Sequence, residues 1–302
     1  MSKVIIVGTL AFDTIETPFG KVERVLGGSA PFASLASKTQ NIDCAIISIV
    51  GNDFPKEYID IFTQRNIDIS QVQIDEKGKT FFWEGKYHDN MNKRDTLDTQ
   101  VNVLEKFEPK LPEKYNEIDV LVLGNLDPKV QIKVIDQFSK RPDFTMLDTM
   151  NFWMNNSLYD LLEVIKKVDL ICINDEEVLQ LSNSKNINEG VSKILTMGPK
   201  YIIVKMGEYG ASVYSSNNRF TCKSYPVKKV IDPTGAGDSF AGGFAGYLAS
   251  SKDYGFEYIS KALIYANAIA SFSVEKFGVD NMLNLEKNEI NQRIEFIKKH
   301  NL

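Results

Sequence analysis

Three small residues, Gly235, Ala236 and Gly237, stand directly before Asp238 in the stretch IDPTGAGDSFAGGF (231–244). Phe240, Phe244, Tyr247 and Leu248 follow at helical spacing, so the glycines lead into a helix N-terminus. Free backbone N–H groups and the positive end of the helix dipole favour a phosphate there, and glycine lets the backbone approach without a Cβ in the way. Asp238 at such a seat has two readings. As an N-cap it stabilises the helix by about 1 kcal/mol. As a general base it orients an incoming hydroxyl during phosphoryl transfer and accepts its proton. The helix end predicts a low carboxyl pKa, which a loose transition state tolerates because it asks mainly for positioning and charge stabilisation. Gly242, Gly243 and Gly246 read as sites of close helix packing.

Other chemistries lack raw material. The two histidines are His88, in a polar stretch, and His300, at the C-terminus, which removes Ser-His-Asp hydrolysis and multi-His zinc sites. Cys44, Cys172 and Cys222 are far apart, two of them inside apolar runs, as small buried hydrophobes are. The GKT at 78–80 ends like a P-loop, but Gln73 occupies the place of its first glycine. After KVIIVG, Leu10 and Asp13 stand where a dinucleotide fingerprint requires glycines. A net charge of −5 with both signs scattered offers no field to nucleic acid or an anionic membrane. The apolar run Val4 to Val7 is far shorter than a signal-peptide core and no stretch is long enough to span a bilayer, so a cytoplasmic protein is expected.

The elements that must position the loop are also legible. KVIIVG, CAIISIVG, VLVLG, FTMLD, LICIN and YIIVKMG are continuous apolar runs, each followed by a helical pattern. Such alternation predicts an α/β fold: a doubly wound, mostly parallel central sheet with helices on both faces. Helices are expected over 30–39, 56–65, 130–138, 158–167, 191–195, 240–250, 257–272 and 286–299. Residues 13–28 and 80–99 break the alternation and read as hairpins of a small β lid, the remainder (1–12, 29–79, 100–302) forming the main domain. The lid aromatics Phe81, Phe82, Trp83 and Tyr87 pack the lid, cover a substrate or meet a second subunit. Ligands of such a sheet sit outside the carboxyl ends of its strands, near Gly8, Gly124, Asp148, Asn174 and Lys205.

DPTGAGDSFAGGF resembles the C-terminal signature of the ribokinase-like (PfkB) carbohydrate kinases, and other landmarks follow in that family's order. They are GTLAFD (8–13), LGGSAPFASLAS (26–37), VGND (50–53), NDEE (174–177) and VKMGEYGA (204–211). The resemblance covers nearly the whole chain and is weakest over 80–170. It implies ATP-dependent phosphorylation of a hydroxymethyl group on a sugar or sugar-like ring, with Mg²⁺ joining the phosphates. Asp238 resembles the catalytic base, and Gly235, Ala236 and Gly237 the anion hole. Asp13 would grip substrate hydroxyls, and Gly27 and Gly28 would let the backbone approach the ring. Asn174 and Glu177 would act through the water shell of Mg²⁺. Lys205, Gly207 and Gly210 lie on the nucleotide side. Asp232 and Thr234 match positions that help hold a monovalent cation in many members, which adds K⁺ to the implied ligands. The lid implies a homodimer.

Two departures bear on the acceptor. Phe32 stands where family members commonly place a sugar-binding asparagine, which predicts a less polar ring face or a core residue. LDTMNFW (147–153) departs from the sugar-kinase pattern, leaving Asp148, Asn151 and Trp153 as substrate-side candidates. A nucleoside stacking its base on Phe32 or Trp153 is therefore kept beside a sugar or a vitamin-type alcohol. A nucleotide-binding regulator that retained the fold and lost catalysis is the alternative from another class.

Overall fold

The computed structural model describes residues 3–301. Its large sheet takes β1 (Lys3–Val7), β4 (Asp43–Gly51), β5 (Ile67–Asp75), β8 (Val120–Leu123), β9 (Phe144–Asp148), β10 (Leu170–Asn174), β11 (Tyr201–Lys205), β12 (Ala211–Tyr214) and β13 (Arg219–Cys222). The strand order is β13-β12-β11-β10-β9-β8-β1-β4-β5. All neighbours from β11 to β5 pair in parallel, while β12 and β13 close one edge antiparallel.

Alternation along β1 shows why it carries no polar residue after Lys3. Val4 and Ile6 face one hydrophobic cluster, and Ile5 and Val7 the other. On the first face lie α1 (Ser29–Lys38), α8 (Ala236–Ser251), α9 (Phe256–Ser273) and α10 (Lys287–His300). The second is covered by α3 (Pro128–Ile135), α5 (Leu158–Ile165), α6 (Asp175–Ser182) and α7 (Ile187–Leu195). Each fully buried aliphatic side chain contributes roughly 2 kcal/mol, against a median of at most about 1 kcal/mol for a surface ion pair. The two cores therefore dominate stability. Cys44, Cys172 and Cys222 belong to the first core, and burial pushes their thiols up to about 12.

A second, four-stranded sheet has the order β3-β2-β6-β7, from β2 (Ala11–Thr17), β3 (Gly20–Gly27), β6 (Phe81–Tyr87) and β7 (Arg94–Gln100). Its two antiparallel hairpins are joined by parallel pairing of β2 with β6. At its root, Thr80 donates from both N and Oγ1 to Asp53 Oδ1 at 2.8 Å, and Thr80 Oγ1 accepts from Gly51 N at 3.0 Å. The exit from β3 into α1 runs through Gly28 at φ +86, where a Cβ would lie 2.5 Å from the Thr9 carbonyl oxygen. The remaining helices are α2 (Lys56–Thr63), beside β5, and the short α4 (Asn151–Asn156).

Helix α8 starts at Ala236, one turn earlier than its apolar periodicity predicts. A Cβ on Gly242 or Gly246 would lie 2.1 Å or 2.7 Å from main-chain oxygens of α1, so these glycines do serve close helix packing.

Candidate active site

Parallel strands bring polar residues together where they end. Asn174, the last residue of β10, is in register with Lys205, the last of β11, and Asp148 closes the neighbouring β9. Lys205 Nζ donates to Asp148 Oδ1 at 2.8 Å. Burial works against the Lys205 charge, but Asp148 and then Glu177 more than offset this and hold its pKa above the ordinary value. The same ammonium lies beside the glycine loop, 3.1 Å from where a Cβ on Gly237 would be. Lys205 is thus delivered to the first turn of α8.

That turn presents donors of the kind an anion takes. Gly235 takes φ +73 as the N-cap, and its missing Cβ would lie 2.4 Å from the Phe32 ring. Ala236 N bonds to Pro233 O and Ser239 N to Gly235 O, which leaves the N–H groups of Gly237 and Asp238 without main-chain acceptors. Asp238 follows as the third residue of the helix, partly open to the cleft. Its pKa rises to about 7, first through burial and next through Asp148, with Lys205 and Arg94 pulling the other way. The low value expected from the helix end is corrected here: desolvation and a neighbouring carboxylate outweigh the dipole. A carboxylate near 7 is a better base than one near its ordinary value.

Asp13 lies on β2 of the small sheet, 5% exposed, and accepts from Gly28 N at 3.3 Å. Burial lifts its pKa to about 7, with Asp232 and Asp238 adding to the rise, so Asp13 and Asp238 share one electrostatic environment. Gly27 and Gly28, expected to let the backbone approach a substrate ring, are each closely packed within the protein on their Cβ side. A Cβ on Gly27 would fall 2.1 Å from the Asp13 carboxyl carbon, so the Asp13 side chain itself fills that space, while Gly28 is pressed against Thr9.

Phe32 is also corrected. At 1% exposed it belongs to the core beneath Gly235 and offers no face to a ligand. Asn151 and Trp153 are engaged with other side chains: Asn151 Nδ2 donates to Gln180 Oε1 at 3.0 Å and Trp153 Nε1 to Asn125 Oδ1 at 2.8 Å. Of the three candidates in that segment, Asp148 alone joins Lys205 and Asp238.

Asn174 and Glu177 form a reciprocal cap at the start of α6: Glu177 N donates to Asn174 Oδ1 and Asn174 N to Glu177 Oε2, each at 2.8 Å. One oxygen of the buried Glu177 carboxylate remains outside this pair. Burial raises its pKa to about 6 despite Lys205, the condition of a carboxylate whose charge a bound cation would stabilise. Gly207 and Gly210 both take positive φ at the turn after β11. Gly210 is needed to pass the Cys222 carbonyl oxygen, 2.0 Å from where its Cβ would be, whereas the side of Gly207 faces Asn92.

Asp232 and Thr234 use their side chains within the protein. Asp232, 0% exposed, accepts from Thr234 N and from Gly278 N, both at 2.9 Å, and clamps the loop to the segment after α9. Thr234 Oγ1 donates to the Tyr87 hydroxyl at 3.1 Å. This last contact ties the small sheet to the glycine loop, a role the sequence did not single out for Tyr87.

Fold and site together define a kinase of the ribokinase type. The chain belongs to the pfkB family of carbohydrate kinases, whose model matches residues 1–286. Among curated relatives it is 27% identical over 253 residues to the cytidine kinase of Thermococcus kodakarensis, covering 82% of this chain and 89% of that one. It is 25% identical over 300 residues to the nucleoside kinase of Methanocaldococcus jannaschii, covering 94% of each. The Burkholderia thailandensis nucleoside kinase solved with inosine has the same fold, with a TM-score of 0.82 at 17% identity over 99% of this chain and 100% of the other. No helix among the described residues is long and apolar enough to cross a membrane.

Proposed function

We propose that this kinase transfers the γ-phosphoryl group of ATP to a hydroxymethyl group of a nucleoside. One observation carries the phosphotransfer reading: Asp238, with a pKa near 7, stands in the helix turn that offers free N–H groups beside the Lys205 ammonium. The turn favours the phosphoryl charge, and Asp238 orients the acceptor hydroxyl and receives its proton. Asp13, on the opposite sheet, accepts hydrogen bonds from other acceptor hydroxyls. Lys205 and the turn at Gly207 face the nucleotide phosphates. Asn174 and Glu177 would hold Mg²⁺ through its water shell, and the ion would supply charge neutralisation to the phosphates.

The nucleoside assignment rests on the names of the relatives at 27% and 25% identity, a cytidine kinase and a nucleoside kinase. A plain sugar is the second reading, favoured by the Dictyostelium discoideum ribokinase at 26% identity over 84% of this chain. An ATP-coupled assay across nucleosides, ribose and fructose decides between them. Turnover of sugars in preference to every nucleoside overturns the assignment; binding of ATP and Mg²⁺ with turnover of no acceptor would favour a catalytically silent regulator. Running the assay in Na⁺ and then K⁺ tests whether the Asp232–Thr234 loop recruits a monovalent cation.

A further inference from the structure

The chain passes between the two layers four times: from β1 into β2, from β3 into α1, from β5 into β6, and from β7 back to the second core at Val103. One carboxylate of the main layer reaches all four passages, directly or through one neighbour. Asp53, in the turn after β4, accepts from Thr80 N and Thr80 Oγ1 at the entrance to β6, both at 2.8 Å. Thr80 O in turn accepts from Asn102 Nδ2 at 3.0 Å, where the chain leaves β7. With its other oxygen Asp53 pairs with Arg24 Nη2 of β3 at 3.4 Å. The Arg24 guanidinium carbon lies 4.2 Å from the centre of the Phe12 ring on β2, next to Asp13.

Arg24 is held in place for this contact. It sits at φ +50, a left-handed conformation that a side chain keeps only where its surroundings enforce it. The cause is a bulge: the β2–β3 register shifts between Asp13 and Ile15, so Glu23 and Arg24 face Thr14 alone. Arg24 N donates to Thr14 Oγ1 at 3.1 Å, and the Tyr58 hydroxyl of α2 donates to Arg24 O at 3.2 Å. Of the two holds on Asp53, Thr80 is the stronger, since Thr80 is 1% exposed whereas the Arg24 side chain is half exposed and screened by water. Strand β2 lies between β3 and β6, so Asp53 restrains the strand on each side of the one that carries Asp13. A tilt of the small sheet about this root would move Asp13 relative to Asp238, which belongs to the main layer.

We infer that Asp53 is a positioning residue for the acceptor: through Thr80 and Arg24 it fixes the small sheet at the angle that sets Asp13 opposite Asp238. The inference rests on the kinase reading and deepens it. The nucleotide side, built on the main layer at Lys205 and the glycine loop, does not depend on this angle.

The test measures acceptor KM and kcat, ATP affinity by calorimetry with Mg²⁺ and no acceptor, and thermal melting. It uses the full-length wild type, Asp53→Ala, Asp53→Asn and Thr80→Val, with whichever of cytidine, adenosine, inosine, ribose and fructose the wild type turns over best. Asp53→Ala is expected to lower kcat/KM for the acceptor about a hundredfold, as a misplacement of about 1 Å can, while ATP affinity stays nearly unchanged. Asp53→Asn keeps an oxygen for Thr80 and is expected to recover most of the loss. Thr80→Val keeps the shape of the side chain without its hydroxyl and is expected to follow Asp53→Ala in smaller measure. A contact that only stabilises the fold would lower the melting temperature without separating acceptor from ATP. If Asp53→Ala keeps the acceptor kcat/KM of the wild type, or loses ATP affinity to the same degree, the inference is overturned while the kinase reading stands. Should Asp53→Ala fail to fold, Thr80→Val decides by the same criterion. A wild type that turns over none of the five compounds overturns the kinase reading and the inference with it.

Discussion

Lys205 and Asp148 make a 2.8 Å ion pair whose ammonium also abuts Gly237, so a single cation serves a carboxylate and the seat of an anion. Breaking a buried pair by removing one partner typically costs on the order of 3 kcal/mol, because the other charge is stranded. Lys205→Met is expected to lower stability by about that amount and to reduce kcat. Since Lys205 also lowers the pKa of Asp238, its loss moves the acid limb of the pH–rate profile to higher pH. Lys205→Met combined with Asp148→Asn should recover stability without recovering rate, as read by denaturant melts and initial rates. Recovery of both would deny Lys205 a role in turnover.

A base that titrates near 7 imposes a direction on the rate. Below that value Asp238 holds its proton and cannot accept another, so kcat/KM is expected to rise with pH through about 7 and then level. Because Asp13 titrates in the same range, the observed midpoint belongs to the pair. Asp238→Asn should lose at least about a hundredfold in kcat while calorimetry shows ATP binding retained. Near-normal turnover by this variant would reject the assignment of the base.

Asp13 imposes the opposite trend on stability. Its folded pKa is about 7 against an ordinary 3.8, so between those values the folded chain holds a proton that the unfolded chain has released. This contribution therefore falls as pH climbs from about 4 to about 7 and stays low above that range. Asp13→Asn, which keeps an acceptor for Gly28 N–H, should melt at higher temperature than the wild type at pH 8, with the difference vanishing towards pH 4. The acceptor KM should rise in the same variant. A melting advantage independent of pH would contradict this origin.

Phe32 and Gly235 form a mutually exclusive contact, since a Cβ on the glycine would enter the ring. Gly235→Ala is also strained at φ +73, at a cost on the order of 1 kcal/mol before any clash. Phe32→Leu alone should cost about 1 kcal/mol and leave the acceptor KM unchanged, as a core residue would. Adding Phe32→Leu to Gly235→Ala should restore part of the lost stability. Additive losses in this double-mutant cycle would show that the two sites do not meet.

Legibility in the sequence followed the physics of each element. Strands buried on both faces, such as β1 and β10, announce themselves as unbroken apolar runs. Strand β5 reads IDISQVQID, an edge strand with polar residues alternating along it, and β12 and β13 are four residues each; none of the three was expected as a strand. Helix α6 was hidden because its first turn is Asp175, Glu176 and Glu177, which cap and charge the N-terminus instead of marking an apolar face. In the site, Asp238 and its glycines are contiguous and could be read directly. The Asp148–Lys205 pair joins residues 57 positions apart and the Tyr87–Thr234 bond residues 147 apart, distances that only the folded sheet closes. Phe32 was ambiguous because an aromatic beside a glycine motif fits a core as well as a ligand; the position of Gly235 above its ring settles it as core.

Asp13 rides on β2 of the four-stranded sheet, whereas Asp238 rides on α8 of the main layer. With the proposed roles of these two carboxylates, the molecule to be phosphorylated would reach across a seam, one end anchored on each shore. Acceptors are then sorted by span: an alcohol too short to touch both carboxylates leaves its reactive oxygen adrift from the base, even where nothing blocks its entry.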